Sequence, residues 1–137
     1  MRLLVAVPPG GMPDGFARAV MESARGTGAE VRALYTVDDR WFGYSGSDWL
    51  SNASSRAEFD AYMRLTLQRE GEASVGELST AAAVMGVAFS CTVAEGEPAG
   101  TAYNEALAWA ADAVVTTSTH PGLKDIRRKC GCPVLLK

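Results

Sequence analysis

The only histidine, His120, ends a run of hydroxyls, Thr116-Thr117-Ser118-Thr119-His120. The run follows the aliphatic segment Ala113-Val114-Val115, so it falls at the carboxyl end of a strand, where α/β proteins build their sites. In one reading it floors a small polar pocket, with an imidazole that titrates near neutrality. In the other the hydroxyls cap backbone groups of a loop entering Pro121. Neither a nucleophile–base pair nor an orienting carboxylate is evident around it, although Asp125 is near in sequence, so binding is expected rather than catalysis.

Three other groups carry chemistry. Pro8-Pro9-Gly10-Gly11 reads as a plain turn, with an anion loop ahead of a helix as the alternative. It lacks the spacing of G-x-G-x-x-G or G-x4-G-K-[ST]. Cys130-Gly131-Cys132 is too tight for the usual zinc spacing. With Cys91 these are expected to be structural thiols, a redox pair being the alternative. Lys124, Arg127, Arg128 and Lys129 form a basic turn that would attract a phosphate or an acidic partner. Such a run is also an ordinary solvated helix face whose cations suit the C-terminal dipole.

The elements that must position these groups follow from periodicity. Leu3-Leu4-Val5-Ala6-Val7 is continuously aliphatic, the mark of a central parallel strand buried on both faces. Phe16, Val20, Met21 and Ala24 have helical spacing, with Asp14 as the expected N-cap and Gly28 as the stop. Glu30 to Val37 alternates as a second strand. Residues 38–54 carry Trp41, Phe42, Tyr44 and Trp49 among Gly and Ser, and read as an ordered aromatic loop within the domain. This loop could serve as a lid, a partner patch or a dimer contact, or simply pack on the sheet edge or the long helix.

Ser55-Arg56-Ala57-Glu58 reads as a capping box opening a long helix. Its stripe runs through Phe59, Met63, Leu67, Val75, Leu78, Ala82 and Met85, with a kink or break expected near Gly71 because glycine there costs ~1 kcal/mol against alanine. Val87 to Val93 is a third strand. Pro98 opens a helix whose Ala102, Ala106, Leu107 and Ala110 are expected to face the sheet. Ala113 to Thr117 is the fourth strand, residues 122–129 a short helix, and Pro133 to Leu136 the last strand, its proline suiting an edge. This order demands an open α/β sheet, doubly wound, of five mostly parallel strands with helices on both faces.

At 137 residues the chain is one domain, 1–137, with 47% hydrophobic and 21% charged residues. A formal charge of −3 supplies no basic surface for nucleic acid. No run approaches the ~18 apolar residues of a membrane span. MRLLVAV is too short for a signal peptide, and the odd cysteine count argues against a secreted disulfide framework. A cytoplasmic protein with neither nucleic-acid nor membrane partners is expected.

Five segments in order also resemble one family. They are Met1 to Val7, Gly28 to Leu34, Val93-Ala94-Glu95-Gly96-Glu97-Pro98, Ala110-Ala111-Asp112-Ala113-Val114-Val115, and Cys132-Pro133-Val134-Leu135-Leu136. Together they are similar to universal stress proteins over nearly the whole chain apart from the aromatic loop. The resemblance implies an adenine nucleotide α-hydrolase-like sheet of order 3-2-1-4-5, commonly homodimeric through the last strand, here Pro133 to Leu136.

The resemblance further implies ATP binding only where an Asp follows strand one and G-x2-G-x9-G-[S/T] follows strand four. Here Pro8 holds the Asp position. The three glycine positions fall on Thr117, His120 and Cys130, with Gly131 in place of the hydroxyl residue. The span between strands four and five is also about ten residues shorter than the family pattern, by direct alignment of the two. A non-catalytic binding and signalling module in the stress response is therefore expected, without a cofactor. The alternative is a switch holding AMP or ATP in a degenerate cleft built from Pro8, Gly10, Val37, Thr117, Ser118 and His120. A third reading, a phosphoreceiver, fails because strand one ends in Pro8-Pro9 rather than in carboxylates.

Overall fold

The structure, a computed structural model, describes residues 1–38 and 53–137. Five strands, β1 (Arg2–Ala6), β2 (Glu30–Asp38), β3 (Phe89–Gly96), β4 (Ala113–Thr116) and β5 (Val134–Leu136), form one sheet of order β3-β2-β1-β4-β5. Every pairing is parallel. The reason is visible in β1 and β4. From Leu3 to Ala6 and from Ala113 to Thr116 every residue is buried, so both faces of the middle strands need a covering layer.

Helices α1 (Phe16–Thr27) and α2 (Ala53–Met85) supply one layer; α3 (Pro98–Trp109) and α4 (Leu123–Lys129) supply the other. Alternate residues of one strand feed the two cores. Leu3, Val5, Ala33 and Tyr35 pack with Phe16, Val20, Met21 and Leu78. Leu4, Ala6 and Leu34 pack with Ala99, Ala102, Ala106, Trp109 and Ile126. The chain reverses direction across the sheet between β1 and β4, which opens a cleft at the carboxyl ends of those strands.

Several sequence expectations are corrected. The N-cap of α1 is Gly15, at φ 80°, not Asp14. Left-handed backbone there suits glycine, and no side chain caps the helix. Helix α2 begins at Ala53, so the Ser55–Glu58 run lies inside it rather than opening it. The helix also runs unbroken through Gly71. That glycine is buried against the Tyr35 ring, and a Cβ built on it would collide with the ring carbons. Close helix–sheet contact outweighs its weak helix propensity.

On α3 the buried face is Ala99, Ala102, Ala106 and Trp109. Leu107 is exposed, and Ala110 is the C-cap in left-handed conformation at φ 56°. Strand β3 runs on to Gly96, and as an edge strand it is only half-buried. Strand β5 forms the other edge, with Leu135 and Leu136 exposed. The aromatic residues Trp41, Phe42, Tyr44 and Trp49 lie outside the described residues. Among the described residues no helix is long and apolar enough to cross a membrane.

Candidate functional site

A cavity of about 300 Å³ occupies the cleft. Its walls come from every element ending there. Val7 and Pro9 follow β1, Tyr35, Thr36 and Asp38 close β2, and Glu97 and Pro98 open α3. Leu67 reaches in from α2, and His120, Pro121, Gly122 and Asp125 come from the β4–α4 connection. The volume lies at the lower end of the ~300–1,000 Å³ usual for small-molecule sites.

Most polar groups of the cavity already have protein partners. Thr36 Oγ1 lies 2.7 Å from Thr101 Oγ1, which in turn donates to the Pro98 carbonyl at 3.0 Å. Glu97 is the N-cap of α3, accepting from the amides of Ala99 at 3.1 Å and Gly100 at 2.7 Å. Lys129 Nζ approaches the same carboxylate at 3.4 Å. Partial desolvation pushes the Glu97 carboxyl up, but the amides of Gly100 and Ala99, with Lys129, outweigh it and hold the group below the usual carboxylate range. Asp125 pairs with Arg128 at 3.2 Å.

Glu70 of α2 lies near the phenol of Tyr35. Burial first, then the charge and hydrogen bonding of Glu70, push the phenol's pKa up to about 12. Glu70 also sits beside Gly10, 3.8 Å from where a Cβ would be, tying the turn after β1 to α2. The protonated phenol stabilises the fold fully below its ordinary pKa of 10, and that contribution is lost as pH rises towards about 12. In an ultraviolet absorbance titration Tyr35 is therefore expected to ionise near pH 12, in a step that Tyr35→Phe removes. Ionisation of Tyr35 near 10 would mean that the phenol is neither buried nor beside Glu70.

His120 is the exception among these polar groups. Its Nδ1 accepts from the Gly122 amide at 2.9 Å, which fixes the neutral tautomer with the proton on Nε2. No partner for Nε2 is found among the described residues, and no buried side-chain nitrogen or oxygen there lacks a partner. Nε2 therefore keeps accessible surface, and the imidazole lines the cavity. Burial pushes the His120 pKa down, favouring this neutral form.

Of the site residues expected from sequence, His120 alone lines this cavity. Pro8 and Val37 are buried beside it, at the ends of β1 and β2. Thr117 is buried, its hydroxyl 2.8 Å from that of Thr119, and Thr116 donates to the Ala6 carbonyl at 2.8 Å. Ser118 and Gly10 are exposed. Sequence reasoning missed Glu97, Pro98 and Glu70. Cys130 is buried as the C-cap of α4, and burial with the neighbouring Cys132 pushes its thiol pKa up, against thiolate chemistry.

The match to known proteins agrees with this architecture. The model of the universal stress protein family matches residues 1–136. No curated protein matches the chain closely enough to count as a relative. Among solved structures, a universal stress protein family member from Burkholderia pseudomallei superposes with TM-score 0.69 at 21% identity, covering 98% of this chain and 94% of that one. The universal stress protein of Archaeoglobus fulgidus in complex with dAMP gives TM-score 0.67 at 15% identity, covering 99% of this chain and 96% of that one. An AMP-bound family protein from Arabidopsis thaliana gives 0.64 at 13%, with 99% and 90% covered. At these identities the superpositions speak for the fold, while the family model spans nearly every residue; the chain belongs to the universal stress protein family.

Proposed function

We propose that this protein is a non-catalytic ligand-binding module of its family, acting in the cytoplasm, whose cleft does not hold ATP through a phosphate loop. The observation that carries this reading is the state of the backbone amides between β4 and β5. A phosphate cradle needs free N–H groups converging on one point. Here the His120 amide donates to the Thr117 carbonyl, Gly122 to His120 Nδ1 and Leu123 to the His120 carbonyl. Ile126 donates to Gly122, and Cys130 to Ile126. Five amides of the stretch are thus spent on its own turn and on a helix of seven residues, which counts against a cradle for a triphosphate.

Catalysis is disfavoured by the same accounting. The hydroxyls of Thr116 and Thr117 are bonded to other protein groups, and Nδ1 of His120 holds a backbone amide instead of an orienting carboxylate. The relatives in complex with dAMP and AMP support the second reading, a nucleotide-operated switch with a degenerate cleft. Calorimetry and a phosphate-release assay with ATP–Mg separate the two. No heat at millimolar ATP–Mg and no phosphate release are expected. Micromolar ATP binding would replace this reading with the switch.

A further inference from the structure

Two thiols stand one residue apart where the chain leaves α4 for β5. The Cys130 amide donates to the Ile126 carbonyl at 2.9 Å, which ties Cys130 to the last turn of the helix. The Pro133 carbonyl accepts from the Val114 amide at 2.9 Å and opens the pairing with β4. Cys130, Gly131 and Cys132 thus form a short bend between two fixed points. Cys130 is buried in the core under α3, and Cys132 packs partly buried against the same core. An extended chain advances at most ~3.6 Å per residue, so the two Cα atoms are no more than about 7 Å apart. A disulfide needs roughly 4.4–6.8 Å. A slight tightening of the bend closes the bond, and Gly131 permits it: the residue is exposed, and a Cβ there would meet nothing within 4 Å. Cys91 has no such option. It lies on β3, at the opposite edge of the sheet from β5, with three strands between them at ~4.8 Å spacing.

Exposure and charge set the order of events. Cys132 keeps accessible surface, whereas Cys130 is only 8% exposed. Arg127, Arg128 and Lys129, all exposed, stand just before the pair. Arg128 and Lys129 have carboxylate partners, but Arg127 has none among the described residues. Such a cluster draws in an anionic reagent. We infer that Cys130 and Cys132 form a dithiol site that an anionic low-molecular-weight disulfide, such as glutathione disulfide, oxidises reversibly. The Cys132 thiolate attacks one sulfur of the reagent, whose S–S bond breaks, and one glutathione leaves as a thiolate that takes up a proton. Cys130 then gives its proton to solvent, and its sulfur attacks Cys132 Sγ. The bond from Cys132 to glutathione breaks, and the second glutathione leaves. Two protein thiols are oxidised, and one reagent disulfide is reduced to two thiols. Burial raises the Cys130 pKa, so Cys130 does not compete for reagent and acts only on a sulfur already beside it. The site is independent of the cleft and of what the cleft binds.

Mass spectrometry of the reduced, folded full chain and of its peptides, after treatment with millimolar glutathione disulfide, tests this. The expected product holds a Cys130–Cys132 bond and keeps glutathione at Cys91 alone. Glutathione on Cys132 should be released at least about tenfold faster than glutathione on Cys91, because the resolving thiol is tethered beside it. Dithiothreitol should restore both thiols. Cys130→Ala keeps a small apolar side chain in the core and removes the resolving sulfur, so glutathione should then persist on Cys132. Circular dichroism checks that the variant is folded. Should it not fold, the comparison of Cys132 with Cys91 inside the unaltered chain decides by itself. Glutathione that persists on Cys132 of the unaltered chain, a bond from Cys132 to a second chain, or a Cys132 that never reacts would each overturn the inference.

Discussion

Gly71→Ala is expected to destabilise the protein by about 1–3 kcal/mol, the usual cost of forcing extra carbon into a packed contact. The sign is the opposite of what α2 alone would give. In an exposed helix interior, glycine to alanine gains up to ~1 kcal/mol through propensity and the unfolded chain. Gly76, on the same helix, supplies the control: it is exposed, and a Cβ there would meet nothing within 4 Å. Urea denaturation of the two variants should move their midpoints in opposite directions. At Gly71 the added carbon would collide with the ring of Tyr35, which is almost wholly buried at 1% exposure and cannot swing into solvent. Combining Gly71→Ala with Tyr35→Leu should cost less than the sum of the two changes, because both act on one contact. If Gly71→Ala proved stabilising, like Gly76→Ala, α2 would not lie on Tyr35. The cavity wall that this tyrosine forms would then be wrongly drawn.

The same glycine shows what a sequence can and cannot carry. The continuous aliphatic runs at Leu3–Val7 and Ala113–Val115 identify central strands without ambiguity, because only burial on two faces explains them. With the helical spacings between them, they define the doubly wound sheet. Gly71 misleads because propensity is local, whereas its use lies in a contact with a strand far away in the chain. The buried face of α3 is misplaced for a related reason. Its alanines allow two adjacent stripes at a period of 3.6 residues, and the choice rests on where the Trp109 ring finds room.

The candidate site divides in the same way. His120 is legible, as the one imidazole at the end of a strand. Glu97 is not, because glutamate is outside the usual set of N-cap residues, led by Ser, Thr, Asp and Asn, and nothing local marks it as a partner of Ala99, Gly100 and Lys129. Thr117 and Ser118 stand out in the sequence as hydroxyls at a strand end. Their direction depends on a turn whose hydrogen bonds only the folded chain reveals.

Trp109→Ala is expected to cost about 3–5 kcal/mol, at the top of the range for single substitutions in a core. The core under α3 is otherwise made of small side chains on the helix side, Ala99, Ala102 and Ala106, so one indole fills most of its lower end. Two guanidinium groups extend the contact. Arg32 lies 4.8 Å from the ring centroid and Arg2 5.6 Å. Both are held in place, Arg32 by Glu105 at 2.8 Å and Ser90 at 3.1 Å, and Arg2 by Glu30 at 3.0 Å and the Trp109 carbonyl at 2.7 Å. Such cation–ring contacts contribute ~0.5–2 kcal/mol, and losing the indole would strand both arginines over a void. Set against the ~5–15 kcal/mol that holds a domain together, the loss should leave a marginal fold. Trp109→Phe, which keeps a ring between the arginines, should lose much less. Both are read by urea denaturation followed by circular dichroism. A loss below about 1 kcal/mol for alanine would show that the indole is not the keystone between α3 and the first residues of β1 and β2. The docking of α3, and with it the position of Glu97 at the cleft, would then need another anchor.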